Sequence, residues 1–137
     1  MNDAPSNPLT DAYLAPASFA QVRLWFLDRF EPGSSTYHIP LAVRLSGPID
    51  EPSVEKALQA IANRHEPLRT TFTVEDGTVM QVIRPATSAI CFKSSQLTTL
   101  AELSAEARHS FDLVAGPLWR AKLWQSGPDE HVLQLTF

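Results

Sequence analysis

Residues 18–30 carry more apolar surface than one short helix can hide against a single neighbour. Val22, Trp25, Phe26 and Phe30 recur at helical spacing, with Leu24 and Leu27 widening the stripe. Ser18 and Gln21 stand three residues apart at its start. That is the capping-box arrangement, in which the serine oxygen accepts from the Gln21 amide and the Gln21 side chain reaches back. Glu31-Pro32-Gly33-Ser34 ends the segment. Such a helix needs cover on more than one side, so the chain must build layers around it. Trp25, Phe26 and Leu27 read as core rather than as contacts to a ligand.

The remaining segments supply candidate layers. Residues 39–45 alternate Ile39, Leu41, Val43 and Leu45 on one strand face, and Ser46-Gly47-Pro48 breaks the pattern. A second helix follows, with Asp50 as cap and Pro52 in the tolerated first turn. Val54, Leu58, Ile61 and His65 share one of its faces, and Pro67 ends it or turns it. Residues 70–74 and 79–83 form a hairpin around Glu75-Asp76-Gly77-Thr78. Residues 85–97 are ambiguous, and 89–92 could be a short strand. A third helix covers 100–109, and two strands, 118–124 and 131–137, flank Ser126-Gly127-Pro128-Asp129. The fold class is therefore α/β, a sandwich with helices over one face of a mixed sheet. Residues 1–15 read as a flexible leader without the basic and apolar regions of a signal peptide. No turn follows the apolar strand at Phe137, so 16–137 is expected to be one lobe of something larger.

Composition excludes several functions. Across 137 residues the net charge is −4, with no dense Lys/Arg cluster of the kind that neutralises phosphates, so nucleic-acid binding is not expected. There is one cysteine, Cys91, which excludes an intrachain disulfide and a thiolate zinc cluster. It reads as a small buried hydrophobe. No apolar run is long enough to span a membrane, and the whole fits a reducing cytoplasm. The four histidines have no metal-ligand spacing, so no metal site is expected. His65 reads as a hydrogen-bonded core residue and His109 and His131 as surface residues. Glu102, Glu106 and Arg108 read as a solvated helix face.

Two blocks carry a resemblance. Ser18-Phe19-Ala20-Gln21-Val22-Arg23-Leu24-Trp25-Phe26-Leu27 resembles the first motif of non-ribosomal peptide synthetase condensation domains, Ser-x-Ala-Gln-x-Arg-Leu-Trp-x-Leu, at every defined position. Arg64-His65-Glu66-Pro67-Leu68-Arg69-Thr70-Thr71-Phe72 is similar to the second, Arg-His-Glu-x-Leu-Arg-Thr-x-Phe, again without departure. Tyr37-His38-Ile39-Pro40, Phe111-Asp112-Leu113 and Gly116-Pro117-Leu118 are further familiar stretches. The resemblance covers residues 16–137.

It implies a two-lobed, chloramphenicol-acetyltransferase-like fold, of which this chain is the N-terminal lobe. The implied activity is amide formation in non-ribosomal peptide or lipopeptide synthesis. An acceptor amine attacks a donor thioester, and both substrates ride on the phosphopantetheine arms of carrier proteins. No cofactor is bound directly. The implied partners are the C-terminal lobe, donor and acceptor carrier proteins and an adjacent adenylation domain. The catalytic His-His-x-x-x-Asp-Gly motif is expected after Phe137, so no catalytic residue lies in this chain and the fragment alone should be inactive.

Within the chain, Arg64 and Arg69 are implied to support the catalytic loop, including by an ion pair to its aspartate. A planar guanidinium suits this because it meets a carboxylate in a fixed bidentate geometry. The alternative is two ordinary arginines at a helix C-terminus. Ser18, Gln21, Arg23, Trp25 and His65 are structural members of the motifs, Arg23 being either solvated or paired in the complete domain. A starter domain using an acyl donor and an elongation domain both fit. So does a non-catalytic module that recruits carrier proteins or tailoring enzymes. Epimerisation and heterocyclisation domains are further rivals.

Overall fold

The computed structural model describes residues 12–86 and 90–137. Two sheets form. The first contains β1 (Tyr13–Pro16), β3 (Thr70–Glu75) and β4 (Thr78–Ile83) in the order β1-β4-β3, all antiparallel. The second contains β2 (Pro40–Ser46), β5 (Phe92–Gln96), β6 (Arg120–Gly127) and β7 (Glu130–Thr136) in the order β2-β7-β6-β5. Its β5–β6 pair is parallel and the others antiparallel, so this sheet is the mixed one.

Helix α1 (Phe19–Phe30) begins as its capping box requires. Gln21 N donates to Ser18 Oγ at 3.3 Å, and Ser18 N donates to Gln21 Oε1 at 2.8 Å. The Gln21 side-chain nitrogen also donates to Gln81 Oε1 at 2.9 Å, which seats the helix on the first sheet. Trp25 lies against Phe72 of β3 with ring centroids 6.3 Å apart. The β3–β4 turn has positive φ at both Asp76 and Gly77, the two-residue geometry that matches strand twist.

Helix α2 (Glu51–Arg64) is capped by Asp50, whose carboxylate accepts from Ser53 N at 3.2 Å. It buries Leu58 and Ala62 against Trp119 and Ala121, with Val54 and Leu135 at the margin. Helix α3 (Leu100–Arg108) lies over the opposite face of the same sheet. Its Leu103 carbonyl accepts from Gln134 and its Glu106 meets Arg120, whose strand neighbour Ala121 faces α2. Among the described residues, no helix is long and apolar enough to cross a membrane.

Several expectations need correction. Tyr13–Pro16 is a strand, not leader; residues 1–11 lie outside the described residues. Helices cover both faces of the four-stranded sheet, because strand alternation gives it a second, partly polar face that α3 can satisfy. The short strand comes later than 89–92: β5 starts at Phe92, and 87–89 lie outside the described residues. His65 is exposed. The backbone turns extended at His65 (φ −113°, ψ 104°), so α2 stops at Arg64 and Ala62 takes the buried position. Phe26 is 65% exposed and Phe30 88%, so only Trp25 of the α1 stripe is fully buried within this chain. His131 is buried rather than superficial.

Candidate functional site

The second motif block sits where the two sheets meet. Its Glu66–Arg69 portion is a 3-10 turn and its last residues open β3. Thr70 Oγ1 donates to the Glu66 carbonyl at 2.8 Å, closing the turn on itself. The hydroxyl of Tyr13 of β1 donates to the Glu66 carboxylate, and this bond pushes the phenol pKa up. Glu66 also lies 3.6 Å from Arg69 Nη2. Arg69 Nη1 donates to the Arg84 carbonyl, while Arg84 N donates back to Arg69 O at 3.0 Å. Arg69 Nε is buried with no partner. Arg64, one turn earlier, is exposed at the C-terminal end of α2, where positive charge suits the dipole. The two arginines are thus separated: Arg69 braces the base of the β3–β4 hairpin, and Arg64 faces outward.

The other motif residues have packing roles. Phe72 N donates to Leu113 O at 2.8 Å, which holds residues 111–118 across β3. Asp112 Oδ1 accepts from Val114 N and Ala115 N at 2.9 Å each, and these backbone bonds lower its pKa. Gly116 follows with φ +62°, and a Cβ there would lie 2.5 Å from Thr71 Cγ2. Only glycine accommodates both the backbone and the contact. In the first block, Ser18 and Gln21 fix the start of α1, and Arg29 lies over the Trp25 ring at 4.7 Å. Arg23 is exposed on the outer face of α1.

Close by, β7 ends. Phe137 and Ile39 exchange backbone hydrogen bonds of 3.1 and 2.8 Å. The Phe137 ring stacks on Trp119 at 6.2 Å and 10° between planes. Trp119 Nε1 in turn donates to the Leu68 carbonyl of the 3-10 turn at 2.8 Å. The second motif and the end of β7 therefore share one buried indole. A cavity of about 310 Å³ opens beside them, walled by Leu24, Leu27, Phe111, Leu118 and Phe137, with Asp28, Glu31 and His38 also lining it. His38 Nδ1 donates to the Ala107 carbonyl at 2.9 Å, and its ring lies 4.9 Å from Phe111.

Sequence reading missed a polar cluster on the α3 face. Arg120 is buried, donates to Glu106 Oε1 at 2.8 Å and to the Glu106 and His109 carbonyls, and lies over Phe111 at 4.3 Å. Lys122 Nζ reaches the other Glu106 oxygen at 3.2 Å. Burial alone would push the Glu106 pKa up; the hydrogen bond and charge of Lys122, then those of Arg120, outweigh it and leave the carboxyl below its ordinary range. Glu106 is thus half-buried and paired, not part of a solvated face. Glu102 instead accepts from the backbone of Thr99 and Thr98 at the start of α3, which lowers its pKa. Among the described residues, no group of three or more His, Cys, Asp or Glu side chains could hold a metal ion. Cys91 is a half-buried free thiol just before β5.

Comparison with known proteins agrees with the two motif blocks. A family profile described as "Condensation domain" matches residues 12–137. Cyclosporin synthetase of Tolypocladium inflatum is 43% identical over 138 residues, covering 96% of this chain and 1% of that protein. A dimodular nonribosomal peptide synthase of Bacillus subtilis is 47% identical over 126 residues, covering 88% of this chain and 5% of that protein. The chain thus spans a small fraction of these relatives. Among solved structures, the starter condensation domain of rhizomide synthetase superposes with a TM-score of 0.81 at 22% identity, covering 91% of this chain and 33% of that one. At that identity the likeness establishes the fold.

Proposed function

Because the chain belongs to the condensation-domain family of nonribosomal peptide synthetases, we propose that it is the N-terminal lobe of an amide-forming domain. Its substrates are an acyl or aminoacyl donor and an aminoacyl acceptor, each held as a thioester on the phosphopantetheine arm of a carrier protein. The acceptor amine attacks the donor carbonyl. A C–N bond forms, the C–S bond breaks, the donor arm leaves as a thiol, and the amine gives up a proton. The family's histidine motif, expected after Phe137, would orient the amine and handle that proton.

One observation carries this reading: the second motif and the end of β7 are fastened to the same buried side chain, Trp119. A site formed beyond Phe137 would thereby inherit a fixed position relative to Arg64 and Arg69. The remaining partners follow from the same reading. Phe19, Phe30, Ile39 and Leu41 are exposed without cover, and apolar surface of this kind suits a C-terminal lobe. The carrier proteins and an adenylation domain complete the assembly line, in the cytoplasm. Residues 1–137 contain no paired histidines, so this stretch alone is inactive.

The test uses donor and acceptor carrier proteins loaded with their thioesters. They are incubated with the complete domain and, separately, with residues 1–137, and the acceptor carrier is examined by mass spectrometry. The expected result is an amide-extended acceptor with the complete domain and none with the shorter chain. Carrier binding by the complete domain without any product would instead support the recruiting module.

A further inference from the structure

We propose that Trp119 is a positioning residue for the amide-forming reaction, setting the end of β7 from the segment that carries Arg64 and Arg69. The inference rests on the functional reading above and adds a residue that neither motif contains. The Trp119 indole has a single hydrogen-bond donor, and it is spent on the Leu68 carbonyl at 2.8 Å. Its ring is 3% exposed and packed with Leu58, Ala62 and Ala121, so it cannot slide without disturbing α2. One bond and one close-packed surround fix the plane of the ring. That plane, at 10° to the Phe137 ring, then fixes the last side chain of the strand. Phe137 lies one residue past β7, and its backbone bonds reach only Ile39, just ahead of the edge strand β2. Thr136 is still paired on both sides, to Pro40 and Arg120, so the indole is the side-chain restraint that acts just past the last paired residue.

The same sheet supplies a matched comparison. Trp124 of β6 is 4% exposed and donates its Nε1 hydrogen to Gln134 Oε1 at 2.8 Å. It lies on the opposite face, so it touches neither Leu68 nor Phe137. Trp119→Phe and Trp124→Phe each remove one buried indole N–H from β6 or its threshold, but only the first lies between the motif and the strand end.

Both variants are made in the complete domain and compared in two measurements. One is steady-state condensation with loaded carriers; the other is amide hydrogen exchange at Ile39 and Phe137. Trp119→Phe should lower kcat about ten-fold or more, in line with the sensitivity of such reactions to small misplacements. KM for the carriers should stay unchanged and exchange at Ile39 and Phe137 should quicken. Trp124→Phe should lose comparable stability and change neither readout. Should Trp119→Phe fail to fold, Phe137→Leu removes the stacking from the other side and should give the same loss in kcat. Equal kcat for the two tryptophan variants, or unchanged exchange in Trp119→Phe, overturns the proposal. A wild-type domain that forms no amide counts against the functional reading instead, and the exchange difference still decides the coupling.

Discussion

Arg120 and Glu106 meet at 2.8 Å under the last turn of α3, and the same guanidinium caps that helix through its Glu106 and His109 carbonyls. Lys122, two residues along the same strand face, takes the second carboxylate oxygen. One half-buried acid thus pairs with two cations, and one arginine both pairs an acid and ends a helix. Such a cluster is costly to break at one point, because the partners left behind remain desolvated.

Its pH dependence has a definite sign. The Glu106 pKa is lower in the folded chain than its ordinary value of 4.5, so the folded state favours the ionised form. Its contribution is complete above the ordinary value and is lost as pH falls through the lowered folded one. Urea denaturation across the acid range should therefore show Glu106→Gln losing stability at neutral pH and flattening the curve below about pH 5. A variant whose curve parallels the wild type would remove the pair from the account. Arg120→Ala should cost about 3 kcal/mol at neutral pH.

Gly116 and Thr71 give a second prediction. Gly116→Ala combines a positive φ with a Cβ 2.5 Å from Thr71 Cγ2. It should destabilise by about 2 kcal/mol or more. Thr71→Ser deletes the offending methyl while keeping the hydroxyl that accepts from Arg84 at 3.5 Å. In a double-mutant cycle it should recover the clash but not the backbone strain. Strict additivity in thermal denaturation would mean the two residues do not touch.

Local chemistry made part of this legible in sequence. Ser18 and Gln21 announce their cap because both partners lie within one turn, and Asp76-Gly77 announces its turn because few other pairs adopt positive φ twice. The α2 face was misread at one end. Apolar spacing runs on to His65, whereas Pro67 has no N–H to offer the carbonyl of residue 63 and its ring would clash there, so α2 cannot continue through it; Ala62 is small enough to look indifferent. The Glu106 cluster left no local trace, since Arg120 lies 14 residues from its partner. His131 did leave one: it shares strand parity with Leu133 and Leu135, and parity should have outweighed polarity. For Phe26 and Phe30, sequence can show that cover is needed but not which chain provides it.

That exposed stripe is itself testable. Phe19, Phe26 and Phe30 recur along the outer side of α1 at 98%, 65% and 88% exposure. Residues 1–137 alone should bind an apolar dye and self-associate. Phe26→Ser with Phe30→Ser should reduce both effects and leave the melting temperature nearly unchanged, because neither ring is buried. A large drop in melting temperature would show that the rings pack within the chain after all.

Arg64 and Arg69 should separate by readout. Arg69 holds the Arg84 carbonyl and approaches Glu66, and its side chain is only 13% exposed. Arg69→Ala should cost about 2 kcal/mol, since it strips a donor from a sheltered carbonyl. Arg64 is exposed at a helix end, so Arg64→Ala should change stability by about 0.5 kcal/mol or less. If Arg64 supports the catalytic loop, the same substitution in the complete domain should still lower condensation while the carriers remain normally loaded. Denaturation and condensation measured side by side distinguish the cases. Loss of stability with Arg69→Ala and loss of rate alone with Arg64→Ala would assign bracing to the first and loop support to the second. An undiminished rate in Arg64→Ala would leave that arginine as a helix-end charge and nothing more.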